Sequence, residues 1–265
     1  KFIVRFYSPM ETIGGGVVLE PNPTKKKRFN ADTIEELKRK ESGSSEDIIE
    51  MHIKNSKDSM LTVAELAKIT ALSLDEVKQD VDALEEKGII KVFHMKKDSY
   101  TWHRDNGKML QEEMIKTLQI YHEKHLYRYG MQKAEIHMTF MRKVKPNVFD
   151  LYMESLVGEG VMKRRNEFLS LPQHEIVKDR IYQQVESKLL TTFEKAGLDF
   201  PKVSEIDFGT VPFEVVEDIL LLLMEEKKII KLGEELYTLT SYIEKSKEII
   251  CSMLKEKDLI TMAEI

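Results

Sequence analysis

One cysteine, Cys251, is the entire thiol content of the 265 residues. A lone cysteine excludes an internal disulfide framework and a multi-cysteine zinc site, and suits a reducing cytosol. Long apolar runs are missing as well. The longest, Ile219 to Met224, is far short of the roughly 18 residues that a membrane helix needs, so no membrane span is expected. The sequence opens not on a methionine or a signal-peptide pattern but on Lys1-Phe2-Ile3-Val4-Arg5-Phe6, which reads as strand interior. The chain is therefore expected to be a fragment of something longer. Gly14, Gly15 and Gly16 lack the spacing and the G-K-[ST] ending of a phosphate loop, and Val17-Val18-Leu19 continues as strand where that loop needs a helix. Close approach of two backbones explains the glycines better. His122 and His125 stand i, i+3 without a third ligand, which favours packing or capping over a metal. No Ser/His/Asp arrangement is interpretable, so no catalysis and no cofactor are expected in these residues. Cys251 and the methionines, among them Met109, Met114, Met131, Met138 and Met141, read as core filler.

What is present is charge, at 33% of residues, beside 42% hydrophobic residues. That balance excludes a disordered or low-complexity chain, and the length suits about two domains. The net charge of −5 is unevenly distributed. Residues 1–30 carry +4, 31–104 carry −4, 105–172 carry +2, 173–240 carry −6 and 241–265 carry −1. A nucleic-acid surface needs clustered lysine and arginine, so any such surface here must be local.

A repeat organises the chain. Ala64-Glu65-Leu66 recurs as Ala134-Glu135-Ile136, Ser204-Glu205-Ile206 and Ala263-Glu264-Ile265, with spacings of 70, 70 and 59. After 23, 25 and 23 residues, the first three triplet glutamates are followed by Gly88, Gly160 and Lys228, each before a short β-prone run. In the first copy Thr62-Val63-Ala64-Glu65 and Ser73-Leu74-Asp75-Glu76 are capping boxes that open two helices. Leu74, Val77, Val81 and Leu84 form one apolar stripe, and Gly88 ends the helix in the left-handed conformation. Ile89–Phe93 and Ser99–Trp102 then make a hairpin around Lys96-Lys97-Asp98. Three helices and a hairpin in about 70 residues describe a winged helix. The second copy is expected to have helices near 109–127 and 146–157, with wing strands at Val161–Lys163 and Glu167–Leu171. The third has helices near 175–196 and 212–226, with Pro212 in the first turn and wing strands at Ile229–Leu232 and Leu236–Leu239. Ile243, Ile250, Met253 and Leu254 begin a fourth copy whose Thr261–Glu264 capping box comes at the end of the sequence.

The opening run Arg5-x-Tyr7-Ser8-Pro9-x-x-Thr12-Ile13-Gly14-Gly15-Gly16-x-Val18-Leu19-x-Pro21 resembles the end of the third domain of translational GTPases of the elongation factor Tu type. Followed by tandem winged helices, it is similar to the bacterial selenocysteine-specific elongation factors, the SelB family. Tyr121-His122 with Leu126 and Gly130 matches a further family pattern, with His125 where proline is usual. The fold class is thus mainly α with small β-hairpins: tandem winged-helix modules after the last strands of a translation-factor β-barrel. The boundaries read 1–28 for the barrel end, 29–104, 105–172 and 173–241 for three winged helices, and 242–265 for the start of a fourth. The resemblance implies a monomeric cytoplasmic factor whose other domains hold GTP, magnesium and selenocysteyl-tRNA. It also implies an arm that anchors an mRNA hairpin (SECIS) downstream of a recoded UGA on the ribosome. In the family that hairpin is read chiefly by the fourth winged helix.

The recognition helices argue against DNA reading. Asp75, Glu76, Lys78, Gln79, Asp82, Glu85 and Glu86 face outward in the first copy, and Glu214, Glu217, Asp218, Glu225 and Glu226 in the third. Such faces repel phosphate. The second copy differs, with Arg142, Lys143 and Lys145 before its last helix and Lys163, Arg164 and Arg165 at its wing. These six are the candidate RNA contacts. Lys25–Arg28 reads as a solvated linker, and Tyr127 and Tyr129 as aromatic packing rather than base stacking. The alternatives are a winged-helix DNA regulator and a protein-binding scaffold.

Overall fold

The structure, a computed structural model, describes residues 2–16, 43–197 and 199–256, with isolated positions 18, 25, 30, 31, 33, 34 and 37 between the first two stretches. Val17 as a strand residue, Lys26 to Arg28 and the Thr261–Glu264 capping box lie outside the described residues. The chain divides into two compact units, residues 1–116 with 134–161, and residues 117–133 with 162–265. All three breaks between the units fall inside the second repeat.

In the first unit β1 (Phe2–Arg5) pairs antiparallel with β2 (Thr12–Gly16), the strand-turn-strand expected of the opening run. Gly15 lies opposite Ile3, and a Cβ there would stand 2.6 Å from the Phe2 carbonyl oxygen. Close backbone approach therefore accounts for this glycine.

The first winged helix follows as α1 (Ser45–Asn55), β3 (Leu61–Thr62), α2 (Val63–Thr70), α3 (Leu74–Glu86), β4 (Ile90–His94) and β5 (Ser99–His103). Its antiparallel sheet has the order β3-β5-β4. All three helices begin with reciprocal capping boxes: Ser44 with Asp47, Thr62 with Glu65, and Ser73 with Glu76. Each box satisfies amides that the first turn leaves free. Val77, Val81 and Leu84 of α3 join Ile49, Ile53, Leu66 and Ile90 in one buried cluster. Leu74, expected on that stripe, is 51% exposed, because the first turn of α3 reaches past the edge of the core.

The next repeat begins without a loop, as α4 (Arg104–Lys124) starts directly after β5. It therefore starts five residues before the expected 109. Then come β6 (Met131–Gln132), α5 (Lys133–Phe140), α6 (Pro146–Gly158), β7 (Lys163–Arg165) and β8 (Phe168–Ser170). Within the second unit β6, β8 and β7 form an antiparallel sheet of that order, the arrangement of the first copy. The first wing strand starts at Lys163 and excludes Val161 and Met162; the Val161 amide is taken up in ending α6, donating to the Leu156 carbonyl.

The third repeat is α7 (Arg180–Ala196), a 3-10 turn (Val203–Glu205), α8 (Phe213–Glu225), β9 (Ile229–Gly233) and β10 (Leu236–Leu239). Helix α7 begins five residues later than the expected 175, because Asp179 caps it by accepting from the Tyr182 amide at 2.9 Å. Pro212 is the N-cap of α8 rather than its first helical residue. The triplet Ser204-Glu205-Ile206 shrinks to one 3-10 turn, since the Asp207 carboxylate takes the Gly209 amide at 2.8 Å and Gly209 turns left-handed. Helix continuation is blocked there. Tyr182, Val185, Leu189 and Phe193 of α7 meet Val216, Ile219, Leu220 and Leu223 of α8 in the core.

The final described element is α9 (Thr240–Glu256). Ile243, Ile250 and Met253 are half-buried, whereas Leu254 is 48% exposed and Cys251 is exposed too, against expectation. Met114, Met131 and Met141 are buried as filler, but Met109 and Met138 are exposed on the outer faces of α4 and α5.

The helices α3, α6 and α8 end identically, and their ends correct the register of the repeat. Amides of Gly88 and Ile89 donate to the carbonyls of Glu85 and Leu84; Gly160 and Val161 donate to Val157 and Leu156. Lys227 and Lys228 donate to Met224 and Leu223. This is the Schellman pattern, and its left-handed residue has φ of 72° at Gly88, 73° at Gly160 and 57° at Lys227. Lys227, one residue before the expected Lys228, is the equivalent of the glycines. Ile229 accordingly matches Ile90, and Ile89 lies outside the wing strands, consumed by the helix stop.

Candidate nucleic-acid interface

The six cations singled out from the sequence are divided three and three between the two units. In the first unit Arg142, Lys143 and Lys145 occupy the turn between α5 and α6, all exposed. The Lys143 Nζ donates to Asp58 Oδ2 at 2.9 Å, and that bond with the lysine charge holds the Asp58 carboxyl below its ordinary range. Lys145 is the N-cap residue of α6 and donates to the Tyr100 hydroxyl at 2.8 Å. This triplet is thus partly committed to its own unit.

In the second unit Lys163, Arg164 and Arg165 form strand β7 itself and are all exposed. Alternation places Arg164 on one face and its neighbours on the other. The Lys163 Nζ donates to the carbonyls of Pro172 and His174. The Arg164 Nε donates to the Asn166 carbonyl at 2.9 Å. The Arg165 guanidinium lies over the Tyr129 ring, 3.6 Å from its centroid. With Lys178 and His174 these residues line an open groove of about 600 Å³. Lys178 pairs with Glu226 at 2.6 Å. Burial raises the Tyr129 hydroxyl pKa, so the ring stays neutral beneath its cation.

In the same unit His122 and His125 are packed and hydrogen-bonded, as the sequence suggested, whereas one carboxylate, Asp218, was placed differently by sequence reading. His122 is buried and stacks on His174, with centroids 3.7 Å apart and planes 7° from parallel. Its Nε2 accepts the Leu171 amide at 3.2 Å, so its ring proton sits on Nδ1. Burial first, then the neighbouring His174 and Lys163, push the His122 pKa down to about 4. Asp218, expected to face outward, is 4% exposed. It takes Arg128 Nε at 2.6 Å and His125 Nδ1 at 2.8 Å. The sequence did contain the signal: Val215 and Leu222, at i−3 and i+4, put Asp218 on an apolar helix face. Tyr127 packs in the core and donates its hydroxyl to Asp179. Elsewhere most of the expected acidic faces hold: Asp75, Glu76, Asp82, Glu86, Glu214 and Glu217 are exposed, whereas Glu85, Glu225 and Glu226 are half-buried, Glu85 accepting the Val92 amide.

Among the described residues no helix is long and apolar enough to cross a membrane, and no cluster of three metal-ligating side chains occurs. A family model described as "Elongation factor SelB, winged helix" matches residues 115–171. The selenocysteine-specific elongation factor of Desulfomicrobium baculatum is 25% identical over 246 residues, covering 89% of this chain and 37% of that protein. Its counterpart in Haemophilus influenzae is 21% identical over 200 residues, covering 74% of this chain and 30% of its own. The chain thus spans about a third of the length of these relatives. The crystal structure of a bacterial selenocysteine-specific elongation factor, EF-Sec, superposes with a TM-score of 0.50 at 16% identity, over 97% of this chain and 40% of that one.

Proposed function

We propose, taking as premise that this chain is a C-terminal winged-helix region of the SelB type, that it serves as the arm of a selenocysteine-specific elongation factor. The arm links a body that binds GTP, magnesium and selenocysteyl-tRNA to an mRNA hairpin during UGA recoding on the ribosome, in the cytoplasm. It performs no catalysis itself. The observation that carries this reading is the relationship along 89% of the chain to a selenocysteine-specific elongation factor, over three winged-helix repeats. Acidic recognition helices support it against DNA reading, since Glu214 and Glu217 on α8 and Asp75 and Asp82 on α3 would repel a duplex backbone. RNA contact falls instead to the second repeat, where Lys163, Arg164 and Arg165 make a basic strand at the wing.

The test is RNA titration of the whole chain with Arg164→Glu and Arg165→Glu together. Both side chains are exposed, so the fold survives the exchange. Affinity is expected to fall by at least about tenfold, as two negative charges replace two positive ones beside the RNA. Unchanged affinity would remove this strand from the RNA-contacting surface.

A further inference from the structure

Basic strands bind phosphate without regard to base, yet Arg165 is placed for something more. Its guanidinium carbon lies 3.6 Å from the Tyr129 ring centroid, so the ring covers one side of the group, while the residue as a whole is exposed and lines the groove. Tyr129 is itself held, packed against the buried cluster of α7 and α8. An arginine so supported is pre-organised: it loses little side-chain freedom when a second planar group arrives. Around it, Lys163 is fixed by two carbonyls and Lys178 by Glu226, so both ammonium groups are positioned rather than waving in solvent.

We infer that the groove of β7 is a single-strand RNA notch, in which one unstacked base lies on the outer face of Arg165 and its flanking phosphates meet Lys163 and Lys178. This rests on the RNA-contacting reading of the same strand and adds the form of RNA taken. A base inside a duplex has no free face, whereas a loop, bulge or end offers one. The layering of ring, guanidinium and base tolerates any base, because every base has a π-face. Tyr129 acts as a positioning residue beneath Arg165 and does not touch the RNA.

The experiment is fluorescence titration of the full chain with a short labelled RNA, once single-stranded and once annealed to its complement. Wild type is expected to prefer the single strand. Arg165→Lys keeps the charge but removes the plane, and is expected to weaken single-strand binding about fivefold or more. Its dependence on salt stays as in wild type, because the number of neutralised phosphates is unchanged. Tyr129→Leu is expected to act in the same direction without altering charge. Equal binding of single strand and duplex by wild type would overturn the notch. So would an Arg165→Lys variant that binds as wild type while the double charge reversal abolishes binding, and in that case the phosphate-contacting strand still stands. If the charge reversal too leaves binding unchanged, both readings fall together.

Discussion

Asp218 and His122 carry the sharpest consequences at the scale of single residues. Asp218 is a buried carboxylate held by Arg128 and His125, so removing it strands a cation in a space of low polarity. Breaking such a pair is more costly than never having built it. Asp218→Ala is expected to destabilise by about 3 kcal/mol in urea unfolding, an effect far beyond that of an exposed carboxylate. The neighbouring stack makes stability depend on pH. His122 is neutral when folded down to about pH 4 but charges near pH 6.5 when unfolded. Its contribution is therefore complete above pH 6.5 and is lost as pH falls toward 4, amounting to as much as about 3 kcal/mol at 1.36 kcal/mol per pH unit. Unfolding measured at pH 7 and near pH 4.5 should show this loss, and His122→Gln, which keeps an acceptor for the Leu171 amide but does not titrate, should flatten it.

Helix ends dominate at the scale of elements. Capping boxes open all three helices of the first winged helix. Two of them, Thr62 with Glu65 and Ser73 with Glu76, were legible in the sequence, because the box is a local arrangement of four residues and needs no tertiary partner. The Ser44–Asp47 box came only from the structure. Schellman stops close α3, α6 and α8, and two of them have glycine at the left-handed position. The third has Lys227, whose Cβ crowds the following carbonyl at φ of 57°. Lys227→Gly is expected to stabilise the third winged helix by about 1 kcal/mol, seen as a higher melting temperature, despite the entropy glycine brings to the unfolded chain. The same lysine shows why the repeat was misread by one residue. Without a glycine to mark the stop, Lys227 and Lys228 are indistinguishable in sequence, and only the hydrogen bonds identify which one turns left.

Charge is the property that belongs to the whole molecule. At −5 overall, these residues repel nucleic acid at long range, so the proposed RNA affinity would have to come from one patch acting at short range. With about three phosphates neutralised by Lys163, Arg164 and Lys178, log affinity should fall with log salt at a slope of roughly −2 to −3. All six cations acting together would give a slope about twice as steep. The sequence by itself determined the repeats, the caps, the wing hairpins and the basic segment, because period, cap chemistry and charge are written over a few neighbouring residues. It could not decide which side chains hold the inward Asp218, that Leu74, Leu254 and Cys251 turn outward, or that Arg165 settles on Tyr129. Those outcomes depend on which side of each helix or strand meets a neighbour from elsewhere in the chain, 36 residues away for Tyr129 and Arg165, and burial is fixed only when that neighbour arrives.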